Sequence, residues 1–342
     1  YAKQKYAFGF YDSFHNEPYT ETIIRSHARV TGKINERTAI HLATRMDNSF
    51  VTPGGDYQKV VQTALLLNPN LTSEGKRWKV RIGAHIDPFF SKSKTEVTFA
   101  PDIYGEYSVA KGYSFYLLAG GGSELNDFRT INQAAPYAEF PIYRDGVDGE
   151  GYYLPRHTFH QLDGQLGFKA TPLNELALNL YGGYRVTEDQ LFSTYMEDYG
   201  YDHFGYLMQG DANRLYAGGA VQYTWKDILT TRAEVEWSKW DSDLMDTYTT
   251  LMPELSLRWT ANIRPLEALN VGLSYHYEQR CKDVDGRRPV AVNNLGVTAT
   301  YRLFDWLSLY AQGDNLLNKK YYVNILQPAQ GLQVLGGAVL EF

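Results

Sequence analysis

The sequence predicts an all-β chain: a transmembrane antiparallel up-and-down β-barrel of about sixteen strands, with short turns on one side and long loops on the other. Three observations predict it. Apolar and polar residues alternate with a period of two over many segments. The connectors between those segments are short and long by turns. No run of about 18 apolar residues is available for a membrane-spanning helix. Composition agrees. The 342 residues carry a net charge of −6, and aromatics make up 15% of them, 28 as tyrosine. The one cysteine, Cys281, offers neither an internal disulfide nor a redox pair. The mild acidity argues against a nucleic-acid surface. The chain carries no Walker loop, HExxH, CxxC or nucleophile elbow, so neither enzymatic activity nor a cofactor is expected.

Alternation is plainest in the last third. In LNVGLSYHYE, Leu269, Val271, Leu273, Tyr275 and Tyr277 fall on one face, and Asn270, Gly272, Ser274, His276 and Glu278 on the other. NLGVTATYR and LSLYAQGD repeat the pattern. Short connectors such as GKINERT, TSEGKR, VAKG, ATPLNE, WKDI and LFDW hold the Gly, Pro, Asn and Asp of tight turns. Long ones include residues 121–156 and 187–213. Taken turn to turn, strands are expected near 5–14, 20–34, 38–51, 57–68, 77–88, 95–107, 112–121 and 157–170. The second half is expected near 175–187, 213–225, 229–240, 248–262, 268–279, 291–302, 307–315 and 332–342. An even meander closes without an edge, with both termini on the short-turn side. A two-sheet sandwich is the alternative. Aromatics at strand ends, such as Trp78, Trp225, Trp259, Tyr275, Tyr277 and Tyr301, favour the barrel, because girdles of such rings mark the two lipid–water boundaries.

Near the C-terminus, YRLFDWLSLYAQGDNLLNKKYY and the final GLQVLGGAVLEF resemble the C-terminal end of TonB-dependent outer-membrane transporters. The barrel-end signature is Asp314, Asn315, Leu316 and Tyr321, followed by the terminal Phe342. The resemblance covers about eighty residues closely. It implies residence in the outer membrane of a Gram-negative bacterium, with periplasmic termini and lipid and lipopolysaccharide around the wall. It implies insertion by the barrel-assembly machinery and contact with TonB or surface lipoproteins. Members of that family have a 22-stranded barrel and a plug. Residues 1–342 read as one barrel domain in which no plug is visible. The chain therefore resembles either the later part of such a transporter or a smaller plugless relative of the Bacteroidota type. Lys319, Lys320, Tyr321 and Tyr322 are expected at the outer head-group boundary.

The polar face of each strand is expected to line the lumen. Arg25, His27 and Arg29, then His41 and Arg45, then Arg81 give a basic arc on strands two to five. Strands eleven to thirteen, apart from Arg232 and Arg258, give an acidic arc with Glu234, Glu236 and Glu254. Opposed arcs set up a field across the lumen, suited to a polar, anionic solute near Arg25, Arg29, Arg45 and Arg81. Structural pairing, Arg232 with Glu254 or Glu234 with Arg258, is the bland alternative. The loop at 121–156 has the length to fold inward as a constriction. Tyr195, Tyr199, Tyr201, Phe204 and Tyr206 in the next long loop are candidate contacts for sugars or a partner. Two functions remain open: passage of a solute, or a non-transport accessory barrel of an outer-membrane complex.

Overall fold

The computed structural model describes residues 2–6, 19–52, 59–91, 95–134, 138–139, 156–195, 205–242, 249–282, 286–324 and 327–341. Its first half runs β1 (Ala2–Tyr6), β2 (Tyr19–Lys33), β3 (Thr38–Thr52), β4 (Val60–Glu74), β5 (Trp78–Ser91), β6 (Thr95–Ala110), β7 (Tyr113–Glu124), α1 (Phe128–Ala134), β8 (Ala138–Glu139), β9 (Thr158–Leu173) and β10 (Leu176–Tyr195). The second half runs β11 (Gly205–Trp225), β12 (Leu229–Asp241), β13 (Thr249–Thr250), β14 (Pro253–Leu266), β15 (Leu269–Arg280), β16 (Val292–Phe304), β17 (Leu307–Asp314), β18 (Tyr322–Asn324), β19 (Gln327–Pro328) and β20 (Gln333–Leu340).

Fifteen of these strands have eight residues or more, and they form one antiparallel meander in which each pairs with the next long strand. With β1, which pairs Ala2–Tyr6 to Tyr19–Ile23, the wall has the sixteen strands that alternation predicts. β20 pairs with β17, and among the described residues β1 and β20 do not pair with each other. Of the first strand expected at 5–14, residues 5 and 6 are paired strand, and residues 7–18 lie outside the described set. The register puts like faces together: Leu273 faces Val297, and Val271 faces Ala299. The outward face is apolar and open, with Phe99 67% exposed and Leu166 64%. That is the reverse of a water-soluble core and is what a hydrocarbon surround requires. At the short-turn end, exposed Trp78, Tyr107, Trp225, Phe304 and Trp306 form a girdle, and the last two stack with ring centroids 5.6 Å apart.

Two features depart from the expected plan. β10 and β11 continue to Tyr195 and back from Gly205, so most of the loop expected at 187–213 is paired strand. The cause is a bulge between Thr187 and Gln190, where Asp189 takes a φ of 51°. One extra residue shifts the phase of the alternation, and the segment then no longer reads as strand. The second departure is α1, which lies within the connector between β7 and β9.

Candidate lumenal site

The basic arc is built by strand alternation. Glu21, Arg25, His27 and Arg29 on β2 share the inner face with His41, Arg45, Asp47 and Ser49 on β3, because Arg25 pairs with Asp47 and His27 with Arg45. Asp47 is fully buried and holds both arginines: Arg45 Nε donates to it at 3.0 Å, and Arg25 Nε lies 3.6 Å away. Arg81 on β5 pairs with Asp102 on β6 at 2.8 Å. Arg29 differs. Its Nη2 lies 3.3 Å from His41 Nδ1, and no carboxylate pairs with it or with His27 among the described residues. Arginine can only donate, so Nδ1 accepts and the ring proton sits on Nε2, 2.9 Å from Thr72 Oγ1.

The connector after β7 turns inward onto this arc. Leu125 packs against Ala64, Phe89 and Leu66. Asp127 then caps α1, its Oδ1 accepting from Thr130 N at 2.8 Å and from Thr130 Oγ1 at 2.9 Å. Its other oxygen takes a hydrogen bond from Arg25 Nη2. Glu21 completes the dock: Oε2 accepts from Phe128 N at 3.0 Å, and Oε1 accepts from Ser49 Oγ at 2.7 Å. Phe128 and Ile131 are each only 1% exposed. On its far side α1 comes within 8 Å of β10 between Cα atoms. A segment leaving β7 thus reaches β2 and touches β10, well-separated strands of the wall. The expected inward constriction is present, and it is helical.

The opposite stretch of wall, β6 to β12, is lined by tyrosines laid over glycines. Tyr116 covers Gly167, Tyr216 covers Gly183, and Tyr181 covers Gly218. Their hydroxyls are committed: Tyr216 donates to Asp163 Oδ1 at 2.6 Å, and Tyr181 donates to Glu236 Oε2 at 2.8 Å. Cations complete each unit, with Arg185 Nε on Asp163 at 2.9 Å and Lys169 on Glu106 at 3.1 Å.

The acidic arc is likewise paired, with partners other than those expected. Glu234 takes Arg232 Nε at 2.7 Å, two residues along the same strand. Glu236 pairs with Arg214 on β11, and Glu254 pairs with Arg288 in the connector after β15. Arg258 stands opposite Glu234 in register, but the ion pair goes to Arg232, whose side chain projects on the same face of the same strand. The expected field across the lumen is weakened at its source, because most charges of both arcs are ion-paired, with Arg29 the exception in the basic arc. Cys281 lies beside this cluster, beyond the end of β15. Burial, with the Glu254 carboxylate second, pushes its thiol up to about 11. Alkylation of Cys281 should therefore be slow at neutral pH. Its rate should rise about tenfold per pH unit toward 11 instead of levelling near the ordinary 9.0, as a maleimide titration by mass spectrometry would record.

No family model matches the chain, and no curated protein matches it in sequence. Solved structures do match it. The FrpB iron transporter from Neisseria meningitidis in its apoprotein form aligns over 95% of this chain and 57% of its own, at 13% identity and a TM-score of 0.70. The ferric enterobactin receptor PfeA of Pseudomonas aeruginosa aligns over 95% and 55%, at 12% identity and a TM-score of 0.67. The copper transporter OprC aligns over 97% and 58%, at 13% identity and a TM-score of 0.65. This is the barrel fold of the TonB-dependent outer-membrane transporters. The neighbours are transporters and receptors rather than enzymes, and the chain spans a little over half the length of these three.

Within this barrel the penultimate-strand signature is a hydrogen-bonded turn. Asn315, 1% exposed, sits at a φ of 46°. Its amide donates to Lys319 O at 3.0 Å and Gln330 O at 2.8 Å, while its Oδ1 accepts from Lys319 N at 3.1 Å. Asp314 Oδ1 accepts from Asn294 Nδ2 at 3.1 Å, and Leu316 N donates to Leu295 O at 2.9 Å. Tyr321 is buried at 7% exposure, a correction to its expected head-group position; Lys319, Lys320 and Tyr322 are exposed. The turn folds Tyr321 back, its carbonyl accepting from Ala329 N at 2.8 Å. Of the loop aromatics, Tyr195 and Tyr206 end β10 and β11, opposite Gly205 and Thr194. Tyr199, Tyr201, Phe204 and the terminal Phe342 lie outside the described residues.

Proposed function

We propose that this chain is the wall of an outer-membrane transporter that passes a polar, anionic solute along the β2–β5 arc of its lumen. The observation that carries the reading is the group of His27 and Arg29, the latter oriented by His41 Nδ1, which has no carboxylate partner among the described residues. Arg25, Arg45 and Arg81 supply further guanidinium groups whose carboxylates a solute can displace. Guanidinium and imidazole donors suit an anionic complex better than a bare cation. The neighbours named for copper, iron and ferric enterobactin make a metal-centred cargo the first class to try. Residues 1–342 act as one barrel domain, TonB is the energy-coupling partner, and both termini face the periplasm. Lipid and lipopolysaccharide surround the outward face.

Replacing His27, Arg29 and His41 together with alanine should lower anion preference by roughly threefold. The reversal potential under a salt gradient, read beside solute uptake by cells, measures it. Unchanged selectivity and uptake would overturn the reading. A specific observation favours a second one: α1 links β2 and β10 inside the wall, and most charges around it are tied in ion pairs, as a scaffold requires. Copurification of surface lipoproteins with a chain that shows neither conductance nor uptake would establish an accessory barrel instead.

A further inference from the structure

The segment from Leu125 to Ala134 is held across the lumen by contacts of two different kinds. Apolar packing buries Leu125, Phe128 and Ile131. Two charged groups on β2 then fix the segment to the far wall: the Glu21 carboxylate on the Phe128 amide, and the Arg25 guanidinium on the Asp127 carboxylate. Arg25 therefore already holds a carboxylate delivered from another part of the chain. It also lies 3.6 Å from Asp47, which is shared with Arg45. The side chain of Arg25 is 42% exposed while that of Asp127 is 2% exposed, so the cation is reachable from the lumen although its partner is covered.

We propose that Leu125–Ala134 is a releasable latch across the lumen, and that an anionic solute opens it by taking the place of the Asp127 carboxylate on Arg25. The second half rests on the anionic-solute reading above; the first does not. Asp127 is the solute's intramolecular stand-in. A guanidinium accepts two oxygens of any carboxylate or phosphate in one plane, so the exchange conserves the kind of bond and changes only its owner. Exchange at Arg25 leaves the bond from the Phe128 amide to Glu21 as the last polar tie, which parts as the segment swings out. The buried apolar side chains of α1 then supply the restoring force, since they lose their cover when the segment swings out.

The test uses the full chain in proteoliposomes, with Cys281→Ser to remove the native thiol and Ile131→Cys as reporter. A membrane-impermeant maleimide reads how often this buried position is uncovered. Asp127→Asn can keep the Oδ1 cap on Thr130 while it removes both the charge and the oxygen that accepts from Arg25, so it isolates the latch. Labelling should accelerate roughly tenfold or more, the scale of one charge-assisted hydrogen bond. Arg25→Gln, which removes the cation and leaves the Asp127 cap on Thr130 in place, should speed labelling to the same degree. Hydrogen exchange across residues 125–134, measured without the reporter cysteine, should show the same order and guards against a reporter that disturbs packing. Labelling of Asp127→Asn or of Arg25→Gln at the parent rate overturns the latch. Inorganic phosphate, against chloride at equal ionic strength, should speed labelling of the parent and leave Arg25→Gln unmoved. If phosphate changes nothing while Asp127→Asn still labels fast, release by anions is overturned. The solute reading itself falls separately, on unchanged selectivity and uptake after substitution of His27, Arg29 and His41.

Discussion

Gly183→Ala should prevent the barrel from assembling, whereas Gly182→Ala, one residue away, should be tolerated. A methyl group at Gly183 would sit 2.5 Å from the carbonyl oxygen of Gly164 and 2.5 Å from Tyr216 Cζ. The first atom is backbone of the neighbouring strand β9 and cannot yield without opening the pairing of Gly183 with Gln165. The second belongs to a ring pinned by its hydroxyl on Asp163, which is itself held by Arg185. Overpacking against flexible neighbours costs about 1–3 kcal/mol, and here neither neighbour is flexible, so a loss at or above about 3 kcal/mol is expected. At Gly182 a methyl meets nothing nearer than 3.6 Å, because that position faces outward. Heat-modifiable migration on a denaturing gel and outer-membrane yield would compare the two. Equal yields would show that the tyrosine–glycine seats are incidental.

Asn315→Ala is expected to be the next most damaging change. It removes the two bonds donated to Lys319 O and Gln330 O and the one accepted from Lys319 N. At about 1 kcal/mol each, plus about 1 kcal/mol for alanine at positive φ, the loss is roughly 4 kcal/mol. Asn315→Gly keeps the backbone conformation at little cost and loses only the bonds, so it should recover about 1 kcal/mol of that. Asn315→Asp retains the acceptor for Lys319 N but aims a carboxylate at two carbonyl oxygens and beside Asp314. Urea titration of the folded barrel in detergent should rank wild type above glycine, and glycine above alanine. A glycine variant as stable as wild type would mean that the three bonds add nothing.

Much of the wall is legible in the sequence, because a strand exposes its two faces to different solvents and the chain must record both. Leu269, Val271 and Leu273 against Asn270, Gly272 and Ser274 place β15 without any knowledge of its neighbours. The pattern fails where geometry adds a residue. The bulge at Asp189 swaps the faces of β10, so Leu191 and Phe192 are both buried and the segment reads as irregular. The helical constriction is legible only in part. Asp127 three residues before Thr130 is a cap signal, and the loop has the length to turn inward, but nothing local says that Glu21 and Arg25 receive it. The partners of the lumenal charges are the least legible. Alternation puts Arg232, Glu234 and Arg258 on one face; which pair forms depends on side-chain reach across a register that emerges only on folding. Asn315 shows the opposite limit. The residues around it resemble a transporter's end, yet their reach to Gln330 is a long-range closure that no spacing announces.

The internal pairing of the lumenal charges also sets how far the wall can be felt. An isolated charge acts over about a Debye length, near 8 Å at physiological salt, whereas a cation and carboxylate at contact present a dipole whose influence fades much faster. Asp163 with Arg185, Glu106 with Lys169 and Glu236 with Arg214 are such dipoles, stacked along one side of the wall. On the proposed function, a solute passing along that side is therefore not drawn from a distance; it is sorted by touch. Discrimination along that side would then be a short-range property, and the rate at which solutes arrive there should depend little on ionic strength even where the strength of their binding does.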